Sequence, residues 1–192
     1  FAFFNAQGAR MSTEVLAANS IIFQLLMLAS YGLDGFAQAS EALVGSARGS
    51  QNRADFRKTT LTTGIWSLIV ALMMTSLFVA LQEPLITLFT DLEAVKQQLR
   101  IYLPWVFILP LLSATAFWLD GVYIGAGASP LMRNAMFFST LVVFFPCWWL
   151  LQSWQNHGLW LAFSAFNLSR GLSLLVLLPH LQRQYFPQEK AL

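Results

Sequence analysis

The chain has 192 residues, 57% of them hydrophobic and only 10% charged, with a formal net charge of +2 and a mean hydropathy of +0.59. Soluble domains carry about 25% charged residues, so the composition excludes an ordinary water-soluble globule and predicts an all-α, polytopic membrane bundle solvated by the lipid bilayer. The small charge, with no basic run interleaved with aromatics, argues against nucleic acid. The single cysteine, Cys147, leaves no disulfide frame and no cysteine metal site.

In chain order, residues 1–10 (FAFFNAQGAR) read as the tail of a helix that starts earlier, with no initiating Met, so a piece of a larger protein is expected. Five spans follow, at about 15–46, 61–81, 101–124, 135–151 and 159–178, each near the ~20 apolar residues a bilayer requires. The first exceeds the bilayer and must tilt or project from it. Glu83-Pro84 closes the second. Residues 85–100 carry Asp91, Glu93, Lys96 and Arg100 and are predicted to lie amphipathically at the interface. Pro104 and Pro110 fall inside the third span and Pro146 inside the fourth, while Pro179 stops the fifth.

Basic residues set the orientation. Arg48, Arg53, Arg57 and Lys58 follow the first span, Arg133 the third, and Arg183 and Lys190 the fifth. Only Arg10, Lys96 and Arg100 occupy the other side. The richer group belongs in the cytoplasm, and with it the C-terminus.

Charges inside the spans are then the functional candidates, because ionisable groups in a membrane helix are costly. Asp34 and Glu41 are seven residues apart, about two turns, and share a helix face with Gln38 between them. An acidic pair held only for packing is the plainer alternative. Asp34 and Asp120 each fall in the inner half of the bilayer, roughly 28 Å along their helices, and Arg170 lies nearer the middle at roughly 17 Å. Arg170 calls for a carboxylate partner, either Asp120 or Asp34, unless its stem snorkels to the interface. The aspartate nearer Arg170 should be ionised and the other free to exchange a proton. Leu33-Asp34-Gly35-Phe36 is echoed by Leu119-Asp120-Gly121-Val122, and internal repeats are common in transporters. Asn19, Gln24 and Gln38 are candidate cavity-lining polar residues.

Enzyme readings fail on inventory. Gly121, Gly125 and Gly127 lack both the preceding strand and the spacing of a dinucleotide loop. His157 and His180 belong to opposite faces, which removes a histidine metal site, and no Ser, His and acid group together as a triad. Asp34-Gly35 lacks the further aspartates of a phosphatidyltransferase metal motif. No enzyme, metal or cofactor is expected.

The segment from Ala9-Arg10 through Glu14-Val15-Leu16-Ala17-Ala18-Asn19, Leu33-Asp34-Gly35-Phe36-Ala37 and Glu41-Ala42-Leu43-Val44-Gly45 resembles the seventh-to-eighth helix region of the multidrug and toxic compound extrusion (MATE) family, in its DinF-like branch. Leu119-Asp120-Gly121 and Met132-Arg133-Asn134 extend the resemblance to the tenth helix. It implies a twelve-helix exporter of two six-helix lobes in a bacterial inner membrane, of which this chain is most of the C-terminal lobe. The absent N-terminal lobe would be its partner. Such a protein would exchange H+ or Na+ for small organic, often cationic, substrates. The family's acidic residue in the tenth helix corresponds to Asp120, whereas the part of the seventh helix present here carries no acid. Asp34, Glu41, Asp120 and Arg170 are thus candidates for cation coupling or gating. A lipid-linked saccharide flippase of related architecture, or a non-transporting scaffold, is the alternative. A flippase cavity should be strongly basic, and Arg170 is the only basic residue expected inside this membrane region.

Overall fold

The structure, a computed structural model, describes residues 2–185; Lys190, counted above for orientation, lies outside them. The described residues form helices α1 (Ala2–Met11), α2 (Thr13–Gly49), α3 (Arg53–Ala80), α4 (Gln82–Phe89), α5 (Glu93–Tyr102), α6 (Pro104–Gly125), α7 (Ser129–Phe138), α8 (Phe145–Leu150) and α9 (Gln155–Tyr185). A π-helical segment, Ser139–Phe144, joins α7 to α8. Five helical stretches are long and apolar enough to cross a membrane: α2, α3, α6, the composite Ser129–Leu150, and Gln152–Tyr185.

Local chemistry explains where these helices start and stop. Ser12 is extended, and its hydroxyl accepts the Val15 N–H at 3.1 Å, capping α2 as Ser does best. Asn52 does the same for α3, accepting from Asp55 N at 3.0 Å. Between them Gln51 takes a positive φ of 54°, so α2 reverses into α3 within three residues. With 37 residues, α2 is about 55 Å long, well beyond a hydrocarbon core.

Three of the proline expectations need correction. Pro179 does not stop the fifth span, since α9 continues through it to Tyr185. Pro104 is not inside the third span but opens it, because proline at the first helical turn loses no hydrogen bond. Glu83-Pro84 does not end a helix either; both lie in the first turn of α4, and residues 85–100 divide into α4 and α5. Arg100 of α5 binds Glu83 at 3.0 Å and Glu93 at 3.4 Å, clipping the two short helices together. Its hydrogen bond holds the exposed Glu83 carboxyl below the usual range.

The prolines that do lie within spans are accommodated differently. Pro110 leaves α6 continuous, and Thr75 of α3 donates to the Phe107 carbonyl at 2.7 Å, supporting the backbone where the proline ring disturbs the ladder. Pro146 stands at the start of α8, directly after the π segment. The widened turn is where the helix absorbs a residue that cannot donate.

The core is waisted. One apolar cluster, including Phe4, Phe23, Leu99 and Trp160, fills the end where α2 and α9 begin. A second, including Val44, Phe56, Tyr123 and Leu181, fills the end where they finish. Only Leu33, Ala71 and Ala114 form the cluster between them, and small residues there leave space. Large apolar side chains on α3 and the π segment, among them Leu61, Met73, Leu141 and Val142, stay exposed, as lipid-facing surfaces should.

At the first end, Asn19 and Asn156 exchange amide hydrogen bonds at 2.8 and 2.9 Å, and the Trp160 indole N–H donates to Asn19 Oδ1 at 3.0 Å. All three residues have 0% exposure. Asn19 therefore ties α2 to α9 and presents no surface to a cavity, which corrects its reading as a lining residue. Gly8 of α1 packs on the same amide. An Asn19→Ala variant removes both bonds that Asn156 makes to Asn19 and strands the buried Trp160 N–H, and should lose about 3 kcal/mol of stability, measurable by thermal unfolding in detergent.

Candidate intramembrane charge site

The site is built where α6 crosses α2. A Cβ on Gly121 would collide with the Ala37 carbonyl, and one on Gly125 with the Glu41 carbonyl. Glycine at both positions lets the two backbones touch, as in small-xxx-small helix pairs. That contact fixes the height and rotation of Asp120, the residue before Gly121.

Asp120 meets Arg170 of α9 through Oδ2 and Nη2, with side-chain exposures of 15% and 12%. Of the two partners open to Arg170, the structure selects Asp120. The guanidinium carbon also lies 6.0 Å from the centre of the Phe117 ring, within cation–π range. Asp34 is half-buried and near enough to Arg170 to feel its charge. Asp34, Asp120 and Arg170 are thus one electrostatic group of two carboxylates and one cation. Among the described residues, Asp120 Oδ1 and Arg170 Nε are buried with no hydrogen-bond partner, so the pair is only partly satisfied.

Beside this group, α2, α6 and α9 enclose a cavity of about 290 Å³. Phe23, Phe117, Phe163 and Phe166 supply its aromatic walls, while Ser30, Ser113, Asn167 and Arg170 are its polar points. Pockets of this kind, mostly apolar with a few polar groups, suit small organic molecules. The aromatic members escaped the sequence reading. Their signal was present: Phe163, Phe166 and Arg170 recur at helical spacing on one face of α9.

Glu41, Gln38 and Gln24 are exposed. They lie with Ser20, Tyr31, Gly35, Ala42 and Ser46 along one face of α2 that no described helix covers, and Glu41 makes no ion pair among the described residues. The structure does not bring these three into the charge site. The echoed Leu-Asp-Gly segments are only half alike. Leu33 and Leu119 are both buried, yet Gly35 has nothing within contact distance while Gly121 abuts a backbone.

The MatE family model matches residues 1–149, which include α2, α6, Asp34 and Asp120. The chain belongs to the MatE family. DNA damage-inducible protein F of Escherichia coli (strain K12) is 36% identical over 168 residues, which is 87% of this chain and 36% of that protein. The chain thus spans about a third of the length of this MatE relative. The crystal structure of the eukaryotic MATE transporter AtDTX14 superposes with a TM-score of 0.81 at 14% identity, over 89% of this chain and 40% of that one. At that identity the likeness establishes the fold: a MatE helical bundle. Arg170 lies beyond the residues that the family model matches.

Proposed function

We propose that this chain is one lobe of a secondary active antiporter, which exports small organic, often cationic, compounds in exchange for H+ or Na+ across a bacterial inner membrane. The observation that carries the reading is the juxtaposition of an aromatic cavity with an incompletely satisfied group of two carboxylates and one arginine. With both aspartates ionised the group has one excess negative charge. A proton, a sodium ion or an organic cation can each neutralise it, and that competition is the chemistry an antiporter needs. Asp120 is held by Arg170, which leaves Asp34 as the exchanging carboxylate. In the whole protein this lobe would rock against a second one, with the polar, uncovered face of α2 between them.

The test is export by the full-length protein in vesicles under an imposed pH or sodium gradient. Export of a lipophilic cation that collapses when the gradient is dissipated supports antiport; export indifferent to both gradients would sink it. The proposed orientation has its own check in a Cys147-free background. A cysteine at Ser50 should react only from the cytoplasm, and one at exposed Ser153 only from outside. Asn156, being buried, is unsuitable as the outer probe.

A further inference from the structure

A second built feature lies away from the charge site, at the end of the bundle where α3 begins and α9 finishes. Here α3, α6 and α9 border an open groove of about 550 Å³. Arg57 and Lys58 stand on its rim, Leu61 and Leu178 form an apolar wall, and Trp118 closes one side. Both basic side chains are exposed, and no acidic side chain among the described residues lines the groove. The one acid nearby on α3, Asp55, is engaged by the Asn52 amide at 2.7 Å.

Two polar atoms in the same groove lack partners among the described residues: Thr60 Oγ1 and Gln182 Nε2, both buried. Thr60 is only 5% exposed. Native proteins rarely leave buried polar groups unpaired, and two in one groove indicate that something polar is meant to reach them. The wall itself is rigid. Gly64 has no Cβ because Trp118 occupies that space, and the Trp118 indole donates to Thr63 Oγ1 at 3.1 Å.

The position matters as much as the chemistry. Residues 54–61 are the first two turns of α3, so the groove spans roughly the outermost 10 Å of that helix, at headgroup depth. One flank is lipid-facing, with Leu61 65% exposed. A ligand for this groove must carry negative charge and hydrogen-bonding oxygens at one end and hydrocarbon at the other. We propose that the groove binds an anionic phospholipid of the cytoplasmic leaflet. Its phosphate would lie against Arg57 and Lys58, its glycerol and ester oxygens would meet Thr60 and Gln182, and an acyl chain would run along Leu61 and Trp118. Basic pockets between membrane helices on the cytoplasmic side are suited to such headgroups. The assignment of the leaflet rests on the orientation proposed above; the binding itself does not depend on export.

The experiment uses the full-length protein in neutral detergent. Dioleoylphosphatidylglycerol is titrated against dioleoylphosphatidylcholine and sn-glycerol 3-phosphate, with native mass spectrometry and thermal unfolding as readouts. Phosphatidylglycerol alone should be retained and should raise the melting temperature. Arg57→Gln with Lys58→Gln should weaken it about thirtyfold, from the usual contribution of two cations near a lipid surface. Arg133→Gln, a basic residue on the same side but outside the groove, should not. Thr60→Val removes an unpaired hydroxyl, so it should fold at least as well as the parent and still retain less of the lipid. Equal retention of phosphatidylcholine, competition by sn-glycerol 3-phosphate at similar concentration, or undiminished retention by the Thr60→Val and double variants would each overturn the proposal. So would labelling of Ser50→Cys from outside, whatever the outcome for export.

Discussion

Alanine at Gly121 and alanine at Gly35 should have opposite effects, although each glycine follows a Leu-Asp pair. Gly121 sits against the Ala37 carbonyl of α2, and the obstacle to a new methyl group is backbone rather than a flexible side-chain tip. Inserting it must push α6 away from α2 along the crossing that also includes Gly125. Overpacking of this kind costs about 3 kcal/mol or more when neither partner can give way. The displacement would also carry Asp120 away from Arg170. Gly35, by contrast, has open space around it, and replacing an exposed helical glycine with alanine gains up to about 1 kcal/mol in helix propensity. Thermal unfolding of the two variants in detergent is the measurement. A Gly121→Ala protein as stable as the parent would mean that α2 and α6 do not touch as described.

The second large effect separates the two aspartates. Asp120→Asn removes the ion partner of an arginine with only 12% side-chain exposure. Breaking a fully buried pair from one side costs 3–5 kcal/mol, and the residual exposure here places the loss at about 3 kcal/mol. Replacing both members, Asp120→Asn with Arg170→Met, leaves no stranded charge and should recover most of that stability. Asp34→Asn strands nothing, since Arg170 keeps Asp120. Its stability should stay within about 0.5 kcal/mol of the parent, while gradient-driven export by the full-length protein should fall at least tenfold. The comparison is made on the same preparations, by detergent unfolding and vesicle export. Export at the parental rate by Asp34→Asn would remove that residue from the mechanism. A stable Asp120→Asn would show that Arg170 needs no partner.

Much of the architecture was legible because the bilayer imposes a length. A run of about 20 apolar residues has one inexpensive solution in lipid, a helix that satisfies its own backbone, and five helical stretches long and apolar enough to cross a membrane overlap the expected runs. Caps were equally local: Ser12 and Asn52 end their loops by accepting one N–H each. Arg48 of α2 lies 5.2 Å from the ring of Tyr185 of α9 and against Gly127 of the α6–α7 turn, which puts three of the expected inner connections at one end.

What sequence could not supply was everything that depends on which helix faces which. Local sequence made Gly35 and Gly121 look alike, and Asp34 and Asp120 alike, because it carries no information on what lies across a helix crossing. Only the contact of α6 with α2 distinguishes the glycines, and only the rotation of α9 gives Arg170 to Asp120. Asn19 was polar in an apolar run and so invited a cavity role, yet tertiary packing spends its amide on residues 137 and 141 positions away. The phenylalanines that wall the cavity looked like ordinary membrane-facing residues. Phe23 and Phe163 turn inward because they pack with Phe4 of α1 and Trp160 of α9. Hydropathy determined the spans because each is paid for by its own surroundings in lipid; the site was decided by pairwise contacts between spans, which a one-dimensional pattern does not encode.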